Sequence, residues 1–240
     1  MAYTYLDITN EVLARFNEVT LTSSGFTSAR GFQIQCKNAV NDSINFLNQR
    51  EFNWPFNHAT GSTVLVAGTT RYSIPSTAKT VDYETFRIVK NAALATDGGS
   101  VSVLDYKEYV DRFISQEDDA TVIGGIPRRV VRTPDNNFLL YPYPDKAYTI
   151  KFEYYNLPVV MTAVSHVPTV PEAYRQVIVD GATAFGYQYR GEADHYQLNF
   201  ARYEKGIDQM RTLLINPFAY VRSTVVNNGG SSASFLPRVS

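Results

Sequence analysis

Between residues 169 and 215 apolar side chains recur at steps of three and four, broken once at Gly191. Tyr174, Val177, Ile178, Gly181, Ala182, Phe185 and Tyr189 fall on one helical face. Tyr196, Phe200, Tyr203, Ile207, Met210 and Leu214 form a narrower seam, suited to packing against another helix. Gly191 supplies the left-handed residue that ends a helix, and the break is too short for anything but an antiparallel pair. Thr169 and Glu172 fit a capping box, with Pro171 in the first turn. The second helix of this pair should be about 33 Å long at 1.5 Å per residue.

The first fifty residues show the same period. Thr4 and Asp7 mark a helix start, and Ile8, Val12, Phe16 and Val19 share its face. After a polar loop over 20–25, a second helix is predicted over 27–49. Phe32, Cys36, Val40, Ile44 and Leu47 lie along its stripe, with Ala39 beside them. It should stop before Trp54-Pro55, because proline disfavours helix in the residue before it. Phe52, Trp54 and Phe56 crowd together there; they close the base of a helix pair or contact a partner.

The period changes after His58. Strands are predicted over 61–67, 70–74, 85–90, 101–103, 128–132 and 138–141, between Gly, Pro, Ser and Asn turns. Residues 148–155 alternate most clearly, with Tyr148, Ile150, Phe152 and Tyr154 on one side. Asp105 and Glu108 bracket a short helix carrying Tyr106, Tyr109, Val110 and Phe113, followed by an acidic loop over 116–120. Residues 157–168 read as a linker.

This order implies an α+β fold. A four-helix bundle forms from the terminal helix pairs, 1–57 plus 169–215, and a β-rich domain, sandwich- or barrel-like, is inserted over 58–168 with a short helix near 105–115. An extended arm follows over 216–240. There Phe218, Tyr220, Val221, Val225 and Val226 could add a strand, 227–232 is a flexible spacer, and Phe235-Leu236-Pro237-Arg238 comes after it.

Composition narrows the function classes. The 240 residues are 44% apolar and 19% charged, as in an ordered globular chain. A formal net charge of −1 argues against a broad DNA-neutralising surface. The 17 Tyr suit either a β core or an interface. Cys36 is the only cysteine, on an apolar stripe, and reads as a buried thiol. No secretory leader pattern and no apolar run near the ~20 residues of a membrane span occur, so synthesis and assembly in a host cytoplasm are expected.

No catalytic or metal constellation emerges. His58, His166 and His195 lie far apart, and neither a His-x-x-x-His nor a Cys-x-x-Cys spacing occurs. Asp97 to Ser100 lacks the Lys and helix of a phosphate loop. Gln116 to Asp119 lacks the spaced ligands of a calcium loop. Gly181, Gly186 and Ala182 read as close-packing positions. Arg128, Arg129 and Arg132 form the one basic cluster, split between two strand faces: an exposed edge, or a contact for nucleic acid or an acidic partner surface. No cofactor and no metal are expected. Tyr143, Tyr154 and Tyr155 leave room for a glycan-binding β-module.

Several segments together resemble a known family: Gly124-Gly125-Ile126-Pro127-Arg128-Arg129, Phe138-Leu139-Leu140-Tyr141-Pro142-Tyr143-Pro144, Tyr148 to Pro158, and the helix from Pro171 through Gly181-Ala182. With Trp54-Pro55-Phe56 and Leu104-Asp105-Tyr106, their order over about 4–215 resembles the adaptor proteins of tailed bacteriophages, also called head-to-tail connectors or tail tubular proteins. The resemblance implies a structural virion protein of the neck. It would form a homo-oligomeric ring, commonly a dodecamer, between the portal protein and the tail nozzle protein. Double-stranded DNA would pass through the channel without sequence recognition, and no membrane is involved. It also implies a portal-docking arm, for which Phe218, Tyr220, Phe235, Leu236 and Arg238 are candidates. Arg128, Arg129, Arg132 and Trp54 are candidates for the subunit interface. Another tail or baseplate component is the alternative.

Overall fold

The computed structural model describes residues 3–91, 98–117, 124–135 and 137–215. Its architecture is α+β, with helices at both ends of the chain and two four-stranded sheets between them.

Helix α1 spans Tyr5–Arg15 and is opened by the predicted Thr4–Asp7 capping box. The Thr4 hydroxyl accepts from the Asp7 amide at 3.3 Å, and the Asp7 carboxylate accepts from the Thr4 amide at 2.9 Å. The helix ends one turn earlier than the apolar period suggests, and Asn17 takes a left-handed φ of 55°. Val19 is therefore exposed instead of sharing the face of Ile8 and Val12. Helix α2 spans Phe32–Arg50 and starts later than predicted, because Gly31 turns the chain at φ 54°.

Helix α5 spans Arg175–Arg190 and α6 spans Ala193–Leu214; a Gly191 in the left-handed region at φ 76° joins them. The Thr169–Glu172 capping box does not form. Glu172–Tyr174 is a 3-10 turn begun at Pro171, and the start of α5 has no side-chain cap. The chain before it is held from elsewhere, by the Tyr3 hydroxyl donating to the Val170 carbonyl.

The four long helices share one core. Helix α5 is buried on more than the predicted face: Val179, Thr183 and Ala184 are buried as well as Ile178, Gly181 and Ala182. It packs against α1, α2 and α6. Two glycines permit this. A Cβ on Gly181 would stand 2.8 Å from the Tyr203 ring, and one on Gly186 2.6 Å from Phe16. Tyr203 in α6 donates to the Ser43 carbonyl in α2, so the two ends of the chain are tied through the centre of the core.

The first sheet runs β1–β8–β3–β4, with β1 His58–Val64, β3 Ala78–Ile88, β4 Gly99–Ser100 and β8 Thr149–Asn156. The second runs β2–β7–β6–β5, with β2 Arg71–Tyr72, β5 Ser102–Leu104, β6 Arg129–Arg132 and β7 Phe138–Tyr141. Strand β3 starts earlier than predicted; its register shifts after Ala78 and again after Asp82, which hides the period-two pattern. Phe86, Phe152, Ile150, Val130, Phe138 and Leu140 meet in one cluster drawn from both sheets. The other face of the second sheet is covered by α3, Tyr106–Arg112, through Tyr109 against Val131 and Leu139. Burial on both faces explains why β7, and the Val130-Val131 centre of β6, are apolar without alternation. The acidic loop begins as a short helix, α4, Ile114–Glu117.

The segment after β8 turns back onto the helices. Asn41 grips Met161 through both backbone groups, at 2.9 and 3.0 Å, and the Tyr5 amide donates to the His166 carbonyl at 2.7 Å. Met161, within the predicted linker, and Val170, within the predicted helical segment, both belong to the helical core.

Candidate assembly surfaces

Trp54 is completely buried. Its indole N–H donates to the Leu47 carbonyl at 3.0 Å, one of the groups a helix end leaves without an intrahelical partner. Its ring stacks on Phe56 at 5.5 Å. Trp54 closes the base of α2 and has no surface left for a neighbouring copy, so it is withdrawn as an interface residue.

The arginines stay outside. Arg129 and Arg132 are exposed ends of β6, and Val130 and Val131 between them are buried on opposite faces. Arg128 lines a shallow recess with Ile88, Gly99 and Ser100, whereas Arg132 lines a groove with Phe52, Lys79 and Tyr83. The strand spreads them over two sites, and they form no single basic patch. Phe218, Tyr220, Phe235, Leu236 and Arg238 lie outside the described residues.

Exposed apolar residues also lie outside the predicted sites. Leu157, Val159 and Val160 follow β8 directly, and Val159 is 67% exposed and Val160 56%. A run of branched apolar residues without a charge, in a stretch read as a linker, was the available signal. On the outer side of α6, Leu198 is exposed and Leu213 is 74% exposed, with the exposed Arg202 and Lys205 between them. The 157–160 run is anchored on α1 and α2 through Met161 and His166, and α6 packs on α5 and meets α2 through Phe46, Phe200 and Tyr203.

The ionisable groups serve structure. Burial pushes the Cys36 thiol up to about 12, far from nucleophilic use. Glu117 receives Arg71 in a two-point ion pair at 2.6 and 3.0 Å, and Thr70 and Tyr109 also donate to it. Arg71 above all holds the Glu117 carboxyl below its ordinary range. Glu153, on the outer face of the first sheet, is lowered by Thr60 first and then by Arg87 and His58. His166 accepts from the Thr162 and Ala163 amides, and His195 packs on Tyr187. Among the described residues no group of three or more potential ligands could hold a metal. Tyr154 and Tyr155 alternate across β8, and Tyr143 lies beyond that strand's other end, so the three tyrosines make no common platform for a sugar.

A family model described as SU10 adaptor protein matches residues 3–226, nearly the whole chain. The chain belongs to the SU10 adaptor protein family. This is a phage head–tail adaptor family, structural and not known for enzymes. As an adaptor, the protein interacts with other phage capsid and tail proteins. Among curated proteins no match was found. The SU10 adaptor match includes Phe218 and Tyr220 and stops before Phe235, Leu236 and Arg238. No helix among the described residues is long and apolar enough to cross a membrane.

Proposed function

We propose that this adaptor assembles as a closed homo-oligomeric ring, a dodecamer in the family resemblance, between portal protein and tail nozzle protein, where it lengthens the DNA channel of the virion neck. The observation that carries this reading is the adaptor-family match over residues 3–226. The shared core of the terminal helices supports it by making one discontinuous helical bundle, rigid enough to stand side by side with copies of itself. The β-rich insert, read as a sandwich, projects from that bundle. Subunits meet with the Leu157–Val160 run of one copy on the outer face of α6 of the next. Arg128, Arg129 and Arg132 remain exposed for a partner on the β side. The arm beyond the spacer, with Phe235, Leu236 and Arg238, reaches the portal, and assembly takes place in the host cytoplasm.

Two substitutions separate assembly from folding. Val159→Asp and Leu213→Asp place charges on exposed positions and leave the core intact. Each should keep the circular dichroism and thermal midpoint of the parent and abolish incorporation into the neck of reconstituted particles. Normal incorporation of both variants refutes this interface. Electron microscopy of particles lacking a ring of this polypeptide at the neck refutes the function.

A further inference from the structure

Among the described residues both edges of the first sheet are open. Strand β1 forms one of them. It pairs with β8 over its full seven residues, His58–Val64, without a register shift. It carries no proline, and no Asp, Glu, Lys or Arg occurs between residues 52 and 70. Edge strands are normally guarded against further pairing by charge, proline, a bulge or shortness. The second sheet follows that rule, with edge strands β2 of two residues and β5 of three. Strand β1 has none of these guards.

The ladder fixes which groups of β1 point away from the sheet. The Leu65 amide donates to the Tyr148 carbonyl at 2.7 Å, so Leu65 bonds toward β8, and by alternation so do Thr63, Gly61 and Ala59. The N–H and C=O groups of Thr60, Ser62 and Val64 are left facing outward, on residues whose side chains are exposed. Among the described residues no other backbone hydrogen bond reaches these three.

The opposite edge is the first half of β3, because its outer neighbour β4 pairs only at Arg87 and Ile88. The odd-numbered residues of β8 bond toward β3: the Val89 amide donates to the Thr149 carbonyl at 2.8 Å, and the Leu157 amide to the Thr77 carbonyl at 2.7 Å. Thr80 and Asp82, opposite Tyr155 and Glu153, therefore bond β8, and Val81 and Tyr83 face outward. Val81 and Tyr83 line a groove of about 380 Å³ with Phe52, Lys79 and Arg132. The Leu157–Val160 run leaves β8 beside the same edge, at Thr77.

The pleat selects how the two edges can meet. In an antiparallel ladder, residues opposite each other bond in matching directions. In a parallel ladder, an outward-bonding residue lies opposite one that bonds the other way. The exposed side chains of β1 stand on outward-bonding residues, and the exposed Asp82 of β3 stands on one that bonds β8. Exposed side chains of β1 and β3 therefore share a face only if the two strands run parallel. Within one chain they already do, since each is antiparallel to β8. A parallel junction is thus what head-to-tail repetition of the subunit produces. A twofold pairing of β1 with β1 also matches faces, but it leaves the β3 edge open.

We propose that β1 of one copy adds in parallel to the free stretch of β3, Lys79 to Tyr83, in the next copy, so that the first sheet continues from subunit to subunit. This deepens the ring reading and rests on it. Each copy gives one edge and receives the other, which is the heterologous contact a closed ring requires. Backbone groups carry the junction, so it tolerates many side-chain changes but not the loss of an outward N–H.

Reconstituted particles test this in two ways. Ser62→Pro removes one outward N–H and spares the β8 ladder, which Ser62 does not bond. It should keep the thermal midpoint of the parent and lower incorporation into the neck about tenfold, the worth of one hydrogen bond; parental incorporation overturns the proposal. In the second test, Ser62→Cys protein is mixed with Thr80→Cys or Asp82→Cys protein, assembled and oxidised; Cys36 is buried and does not compete. Adjacent strands lie about 4.8 Å apart, within reach of a disulfide. Dimers that join position 62 to position 80 or 82 are expected. Dimers that join 62 to 62 mean a twofold pairing and overturn the proposal. A ring of this polypeptide seen at the neck by electron microscopy, with neither the 62–80 nor the 62–82 link, overturns it and leaves the ring reading standing. A neck without the ring removes both.

Discussion

Single atoms decide how closely this protein packs. Gly181 faces Ser43 and Tyr203 at once, and neither can yield: the Ser43 hydroxyl donates to the Ile178 carbonyl at 3.0 Å, and the Tyr203 hydroxyl donates to the Ser43 carbonyl. Gly181→Ala gains helix propensity but overfills the junction of α2, α5 and α6. A net loss of about 1–3 kcal/mol is expected, read as a lower urea midpoint with the cooperativity unchanged. Glu117 gives a second residue-scale test. Its carboxyl is held below its unfolded value, so the stabilisation is present above that value and is lost as pH falls through the folded one. The urea midpoint of the parent should therefore drop between about pH 5 and pH 3. In Glu117→Gln the drop should be shallower, from a lower starting point at pH 7, because Arg71 has lost its two-point partner.

The elements differ in how far the sequence announces them. Interactions within a few residues were legible: the Thr4–Asp7 box, the Asp105 cap of α3, the Gly191 joint and the bounds of β7 all follow from local chemistry. Gly181 and Gly186 were legible as close-packing positions because small residues on a helix face have few other uses. Pairings across the chain were not. Nothing local says that His58 lies opposite Tyr155, or that β5 runs parallel to β6. The Thr169–Glu172 motif had the right letters, but Pro171 starts a 3-10 turn and leaves Thr169 outside the helix. Trp54 shows the same limit: its place in the chain fits a partner contact as well as a core wedge, and the Leu47 carbonyl decides for the core. The exposure of Val159 and Val160 is not legible in the sequence, because a linker's apolar residues become informative only once their burial is known. Stability should follow these placements. Helix α5 packs against three helices, and β8 is bonded on both sides, whereas β1 and β4 are edges. Amide exchange should be slowest in α5 and β8 and at least tenfold faster on the outer side of β1; equal rates across the first sheet would contradict this packing hierarchy.

For the whole molecule, the useful quantity is how much cationic charge remains for DNA. Among the described residues, eight arginines are committed to carboxylates: Arg15, Arg50, Arg71, Arg87, Arg112, Arg175, Arg190 and Arg211. The formal net charge is −1. The remaining basic cluster, Arg128, Arg129 and Arg132, is divided between two sites. Exposed pairs of this kind contribute little to stability individually, but each removes a cation from competition for phosphate. In the proposed ring, a channel wall built from such subunits would hold DNA by enclosure and not by neutralisation, which would leave the duplex free to slide. The consequence is measurable on the isolated protein. A clamp that neutralises six to ten phosphates shows a log–log salt slope of about −5 to −9, whereas this adaptor should show a slope of about −2 or shallower in fluorescence anisotropy with a short duplex. A steep slope would mean that the charged residues form a phosphate-binding track after all, and the wall would then grip the DNA that passes it.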